Sequence, residues 1–401
     1  MSLNETVSAE RVHIGFFGRR NAGKSSLVNA VTGQNLAVVS DVLGTTTDPV
    51  KKAMELLPIG PVMIIDTPGF DDEGELGALR VGKTREILAK TDVAILVTDA
   101  RRELFEDERE FADLLKEKKT PYIIVRNKAD LLDSIPAKNG NEIWVSAKNG
   151  VNINELKEMI GTLAKGKQNT RRIVADLLEP GDVVVLVTPI DAAAPKGRLI
   201  LPQQQTIRDI LDAHCMALVC QDTELTATLN SLAKPPKMVI TDSQAFGKVA
   251  PLVPHNVPLT SFSILFARYK GDLLTQVKGA AALRKLKAGD RVVIAEGCTH
   301  HRQCGDIGTV KLPKLIEKTT GFVPEYTFTS GGEFPEDLSD YKLVIHCGAC
   351  MLNETEVAHR IGKATSVGVP VVNYGVAIAH MNGILSRSLA LFPEALALLE
   401  E

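Results

Sequence analysis

The chain has 401 residues, 44% of them apolar, and a formal net charge of −3. That length predicts two or three domains, each able to bury a core. Interspersed charges argue against a dedicated nucleic-acid binder, which carries a basic excess. No run of about 18 apolar residues exists, so no membrane span is expected. The opening residues lack a signal-peptide layout, which makes the cytoplasm the expected location. Structural disulfides are rare there, so the six cysteines read as free thiols, metal ligands or redox groups.

Short apolar runs alternate with helical patterns, which predicts α/β architecture with parallel sheets. In the first third, strands are expected over 13–17, 62–65, 93–98, 122–125 and 143–145, and a closing helix over 152–163. A polar linker is expected over 165–172. A second α/β unit follows, with strands over 183–187, 216–220 and 238–241 and helices over 203–213 and 223–232. A long amphipathic helix over 263–283 opens a third unit. Its strands are expected over 291–295, 343–345 and 369–373, and a final helix over 381–391. The expected domains are therefore 1–168, 169–262 and 263–401, with no internal repeat; the middle one shows no catalytic motif and reads as a scaffold or oligomerisation domain.

Gly18-Arg-Arg-Asn-Ala-Gly-Lys-Ser25 follows the first strand and opens a helix over 25–32, the context a P-loop requires. Gly18, Asn21, Ala22, Gly23, Lys24, Ser25 and Ser26 would wrap the phosphates. The glycines let main-chain N–H groups turn inward, and the helix N-terminus favours anions. Lys24 would reach the β and γ phosphates and Ser25 would ligate Mg²⁺. Asp66-Thr-Pro-Gly69 ends the next strand: Asp66 can hold Mg²⁺ through water, and the Gly69 N–H can sense the γ-phosphate. Asn127-Lys128-Ala-Asp130 ends another strand, and Asp130 can accept both donors of guanine's N1 and N2. Ser146-Ala147-Lys148 can offer a main-chain N–H to guanine O6. All these loops leave the C-terminal ends of parallel strands, where ligands bind in open α/β sheets. Thr46, within Gly44-Thr-Thr-Thr-Asp48, is the favoured threonine to complete the Mg²⁺ shell, with Thr45 and Thr47 as alternatives. That loop is the expected switch. GTP/GDP with Mg²⁺ is thus the expected ligand set, and Lys24, Ser25, Thr46, Asp66 and Gly69 the catalytic one.

Phe70 stands where a water-orienting glutamine would follow the Asp66 motif. The motif order, Phe70 and Asn21 resemble the Era/MnmE-like branch of the translation-factor-related GTPases. The resemblance implies that Asn21 helps hold K⁺ beside the phosphates and that hydrolysis is slow and potassium-stimulated.

Four of the six cysteines lie after residue 297. Cys298-Thr-His300 comes just after the expected strand 291–295, and His346-Cys347-Gly-Ala-Cys350 just after 343–345. If these strands are parallel, Cys298, Cys347 and Cys350 meet on one sheet edge. A helix beginning at 353–356 would favour thiolates by its N-terminus. Spacing alone fits zinc with cysteine and histidine ligands or a [4Fe–4S] cluster with three cysteines and one further ligand. His300 and His346 are additional candidate ligands. Cys304 reads mainly as a free thiol, and Cys215 and Cys220 as core residues.

A GTPase followed by Cys298, His300, His346, Cys347 and Cys350, with Pro189-Ile-Asp-Ala-Ala-Ala-Pro-Lys-Gly-Arg198 and Leu201-Pro-Gln-Gln-Gln205 between them, resembles the [FeFe]-hydrogenase maturation GTPases. The resemblance implies a GTPase, a dimerisation and a cluster-binding domain, with Cys298, Cys347 and Cys350 on a [4Fe–4S] cluster. It also implies a homodimer or larger assembly that receives a diiron precursor with two radical-SAM maturases and delivers it to the apo-hydrogenase. Neither nucleic acid nor membrane is an expected partner. The competing readings are an RNA-modification or ribosome-assembly GTPase with structural zinc, and a redox or iron sensor that signals through GTP.

Overall fold

The computed structural model of the chain describes residues 8–34, 50–57, 59–69, 84–165, 171–190, 199–298 and 306–399. The chain divides into two compact units, Met1–Asn169 and Thr170–Glu401.

The first unit is built on β1 (Val12–Phe17), β2 (Val50–Leu56), β3 (Gly60–Asp66), β4 (Val93–Asp99), β5 (Tyr122–Asn127) and β6 (Glu142–Trp144). They form one sheet in the order β2-β3-β1-β4-β5-β6. Every pairing is parallel except β2 with β3, which runs antiparallel from Val50 opposite Asp66 to Leu56 opposite Gly60. β4 reads Val-Ala-Ile-Leu-Val-Thr-Asp and is buried throughout, as a parallel strand covered on both faces must be. Helices α1 (Lys24–Thr32), α2 (Glu106–Glu117) and α3 (Ile153–Lys165) supply those covers. Leu27 and Val28 of α1 and Leu156 and Ile160 of α3 share one core with Ile14, Phe16 and Ile95. Phe111 and Leu115 of α2 pack with Phe17 and Leu96 on the opposite face.

The second unit holds two sheets. β7 (Val183–Val187), β8 (Met216–Cys220), β9 (Met238–Thr241) and β10 (Leu259–Ser261) lie in the order β10-β9-β7-β8. β11 (Arg291–Ala295), β12 (Glu325–Thr329), β13 (Tyr341–His346) and β14 (Val371–Asn373) lie in the order β12-β11-β13-β14. All pairings in both are parallel. Each sheet runs second-first-third-fourth in its own chain order, a shared topology that no sequence repeat announces. One continuous core, including Leu186, Ile240, Phe266, Val277, Ile294 and Leu343, joins the two. The α/β class with parallel sheets therefore holds along the chain.

Two helix expectations are corrected. The single helix over 263–283 is instead α5 (Phe262–Lys270, named here after α4, Leu201–Asp212) followed by α6 (Leu273–Ala280) and a 3₁₀ turn, Ala281–Lys285. The break falls at Gly271, which leaves helical geometry at φ −124° and ψ −145°; a Cβ there would approach the Ala267 carbonyl to 2.9 Å, so the break suits glycine. Asp272 then caps the new helix by accepting from the Thr275 N–H at 3.2 Å. The final helix over 381–391 is also absent: a helix over Tyr374–Met381 ends at Asn382–Gly383, and two short ones, Leu385–Ser388 and Pro393–Ala397, follow. Gly383 sits at φ 71°, the left-handed turn that stops a helix. Among the described residues no helix is long and apolar enough to cross a membrane.

β8 is an edge strand, yet its Met216, Leu218 and Val219 are 53%, 36% and 43% exposed. Natural edges usually carry charge or proline, since an open apolar edge offers main-chain groups and apolar surface to another strand. This edge is predicted to pair with a second copy of the chain. Val219→Lys should lower the mass seen by sedimentation below that of the wild-type assembly; an unchanged mass would place self-association elsewhere.

Candidate functional site

The nucleotide loops stand at the C-terminal ends of β1, β3, β5 and β6. Gly18 at φ 145° lies against β4: an added Cβ would come within 2.2 Å of the Val97 carbonyl oxygen. Gly23 at φ 89° meets Asn127, whose Nδ2 would be 2.3 Å from a Cβ. Only glycine lets the loop follow this path. Asn21 also takes a left-handed conformation, φ 58°. Lys24 is buried and donates through Nζ to the carbonyls of Gly18 and Arg19, both at 2.8 Å. The ammonium is thereby folded over the loop that would enclose a phosphate.

Asp66 is buried at the end of β3. Its Oδ2 accepts from the Ser25 hydroxyl at 2.8 Å, while Oδ1 is buried with no hydrogen-bond partner among the described residues. Burial pushes this carboxyl above its ordinary range, against the opposing effects of Ser25 and Lys24. An orphaned buried carboxylate oxygen beside a serine hydroxyl is a donor set that fits a hard cation such as Mg²⁺. Thr46, Thr45, Thr47 and Phe70 lie outside the described residues. Gly69 lies within the last described residues of its loop.

Asn127 ties the site together. Its Nδ2 donates to the carbonyls of Ala22 at 3.1 Å and Gly23 at 3.4 Å, and its Oδ1 accepts from the Ala147 N–H at 3.1 Å. One side chain thus spans the phosphate loop and the loop expected to read guanine. Asp130 is set by the Ser146 hydroxyl, which donates to Oδ1 at 2.6 Å and accepts from the Asn149 N–H at 3.1 Å. Lys128, at φ 67°, pairs with Asp99 at 2.9 Å. The Arg101 guanidinium, with burial opposing and Lys128 assisting, holds the Asp99 carboxyl well below the usual range. The structure brings Gly18, Asn21, Ala22, Gly23, Lys24, Ser25, Ser26, Asp66, Asn127, Lys128, Asp130, Ser146, Ala147 and Lys148 to the ends of neighbouring strands of one sheet.

The cysteines occupy the corresponding place in the third sheet. β11 and β13 are parallel neighbours, with Ala295 opposite His346. They are the first and third strands of their sheet, so the crevice between their ends is the topological switch point where α/β sheets bind ligands. Cys298 follows β11 and Cys347 follows β13. The Cys347 Sγ accepts from the Gly297 N–H at 3.0 Å and the Ala349 N–H at 3.3 Å. Burial pushes the Cys347 thiol up to about 12, and the neighbouring Cys350 and Cys298 add to the rise. Burial also raises Cys350, with Lys270 opposing. Two N–H donors aimed at one sulfur, among three thiols near one sheet edge, fit thiolate ligation of a metal centre in donor chemistry. Among the described residues, however, no group of three or more Cys, His, Asp or Glu side chains is gathered as a formed metal site. His300 and Cys304 lie outside those residues.

His346 is fully occupied. Its Nδ1 lies 2.9 Å from the Cys347 carbonyl and its Nε2 3.4 Å from Arg360 Nη1. Burial first, and Arg360 second, lower its pKa to about 4, so the neutral ring donates from Nδ1 and accepts at Nε2. Arg360 donates further to Glu356 at 2.6 Å and to the Gly331 carbonyl at 2.7 Å. The Gly331 N–H in turn donates to the Cys298 carbonyl at 3.2 Å. Sequence reading missed Arg360 and Glu356; their four-residue spacing on α7 (Glu354–Ser366) was the available signal. Cys215 is buried and Cys220 partly so, within the second sheet's region.

The phosphate loop, the orphaned carboxylate and the guanine-side loops on a six-stranded sheet define a P-loop GTPase, followed here by two parallel α/β sheets. Residues 13–128 match a family profile described as 50S ribosome-binding GTPase. Residues 173–271 match the hydrogen maturase F dimerization domain, and 274–391 the hydrogen maturase F tetramerization domain. The chain belongs to the hydrogen maturase F (HydF) family. It is also similar to the tRNA modification GTPase MnmE of Endomicrobium trichonymphae, 36% identical over 162 residues, 38% of this chain and 35% of that protein. MnmE of Clostridioides difficile (strain 630) is 34% identical over 170 residues, 40% of this chain and 36% of that one. The chain thus spans about a third of the length of these curated relatives. Among solved structures, Aquifex aeolicus Era bound to GDP and AlF4⁻ is 20% identical, with a TM-score of 0.36 over 53% of this chain and 95% of that one.

Asn127→Ala should weaken nucleotide binding roughly 10- to 100-fold, since it unties two loops and leaves buried polar groups unpaired at about 1–3 kcal/mol. Titration with a fluorescent GDP analogue measures this; wild-type affinity would contradict the bridging role.

Proposed function

We propose that the chain is a GTP-hydrolysing scaffold of [FeFe]-hydrogenase maturation that carries a [4Fe–4S] cluster on Cys298, Cys347 and Cys350. In this reading it receives a diiron precursor with two radical-SAM maturases and delivers it to the apo-hydrogenase. The observation that carries the reading is the conjunction of HydF-family domains with Cys298 and Cys347 flanking a sheet switch point. Modules 1–168, 169–262 and 263–401 would divide the work into nucleotide turnover, dimerisation and cluster binding. The open β8 edge suits the second task.

In the nucleotide site, Lys24 and the inward N–H groups would bind and orient the phosphates, and Asp130 would select guanine. Ser25, Asp66 and Thr46 would hold Mg²⁺, which supplies charge neutralisation at the phosphates. Asn21 would hold K⁺, and Gly69 would report the γ-phosphate. Without a glutamine after Gly69, water is poorly oriented, so turnover falls below the roughly 10 per second typical of enzymes. At the other site, three thiolates would leave one iron of the cluster with an exchangeable position, which suits a carrier better than a structural metal.

Two assays test this. Exchanging potassium for sodium at equal ionic strength should slow hydrolysis roughly tenfold or more, about 1.4 kcal/mol of barrier; equal rates would remove the K⁺ role. Chain loaded anaerobically in the presence of both maturases should switch on hydrogen evolution by apo-hydrogenase, and Cys347→Ala chain should not. Activation by the variant would sink the carrier reading.

A further inference from the structure

The cysteine loop is held by a helix that precedes its own sheet in the chain. Lys270, the last residue of α5, is buried, and its ammonium donates to three main-chain carbonyls of that loop: Leu352 at 2.9 Å, Cys350 at 3.1 Å and Ala349 at 3.4 Å. Three acceptors converging on one ammonium match its three donor hydrogens. Lys270 falls within residues 173–271, matched by the dimerization-domain profile, whereas the loop falls within 274–391. The same helix grips the loop's flank at its other end. The Ser263 hydroxyl lies 2.8 Å from Asn373 Oδ1, and Asn373 Nδ2 donates to the Cys347 carbonyl at 3.4 Å.

The loop needs such a hold. Ala349 sits at φ 53°, a left-handed conformation unfavourable for a residue with a Cβ. The carbonyls of Ala349, Cys350 and Leu352 turn inward toward Lys270 and would be costly to bury without a donor. A buried positive charge beside a thiolate site also offsets the negative charge that deprotonated cysteines would carry.

We propose that Lys270 is a positioning residue for the cysteine site: its ammonium fixes the path of 347–352 and places the compensating charge beside Cys350. The segment matched by the dimerization-domain profile therefore builds part of the metal-binding loop, and the two matched regions do not act as independent parts. This rests on the cluster reading above only for its charge-compensating half; the loop-holding half stands in metal-free protein.

The test uses the full chain with Lys270→Met, which keeps the length of the side chain and removes its donors, and Lys270→Arg, which keeps charge and donors. In metal-free protein, amide hydrogen exchange over 347–352 should quicken at least tenfold in Lys270→Met while exchange in β11 and β13 stays as in wild type. Lys270→Arg should restore most of the protection. Unchanged exchange in Lys270→Met, or acceleration spread evenly over 170–401 and not rescued by arginine, would overturn the proposal. After anaerobic reconstitution, the midpoint potential of the bound iron should move negative in Lys270→Met and return toward wild type in Lys270→Arg; an unmoved potential would overturn the charge role. If wild-type chain takes up no iron while the exchange result holds, the cluster reading falls and the loop-holding role remains.

Discussion

The parallel pairing of β11 with β13, Ala295 opposite His346, is the constraint on which the cysteine chemistry depends. Cys298 and Cys347 are 49 positions apart in the chain, and only a parallel register brings the residues after both strands to the same edge. An antiparallel pair would send them to opposite ends of the sheet. Parallel strands require crossovers, and several of those here lay a helix on the sheet. The apolar faces of those helices help make the core continuous from Ile173 to Ala395. The same constraint operates in the first unit, where β1, β3, β5 and β6 present the nucleotide loops together.

Both sites then use buried polar or charged side chains to lock loops that the strands only deliver. Asn127 joins two nucleotide loops, Ser146 orients Asp130, and Arg360 links His346 with the segment that carries Gly331. Each is buried or nearly so, where an unmade hydrogen bond is costly and a made one therefore specifies a conformation. Asp66 is the exception: one oxygen is satisfied by Ser25 and the other is not. The local conflict falls where a bound cation would resolve it, and residual conflicts in folded proteins concentrate at functional sites.

The nucleotide strands and loops were legible because fully buried parallel strands read as unbroken apolar runs, and because glycine and lysine at fixed spacing have few other uses. β2 was not legible: Val-Lys-Lys-Ala-Met-Glu-Leu mixes charge with apolar residues, as an edge strand can. The segment 263–283 keeps an amphipathic pattern across Gly271, which hides the Gly-Asp pair that divides it. Lys270 and Arg360 were invisible for a different reason. A charged residue in a helix is ordinarily solvated, and only the tertiary fold shows that these two are buried against main-chain carbonyls. Thr46 and His300, both prominent in the sequence, lie outside the described residues.

The central claim is that one chain joins a GTPase to a thiolate-bound iron–sulfur cluster. Its most direct test is iron and zinc quantification, with EPR of the dithionite-reduced state, on anaerobically reconstituted wild type and Cys347→Ala. The account predicts about four irons per wild-type chain, as one [4Fe–4S] cluster requires, and a cluster signal that disappears in the variant. Zinc without iron in the wild type, or an iron signal indifferent to Cys347, would contradict it.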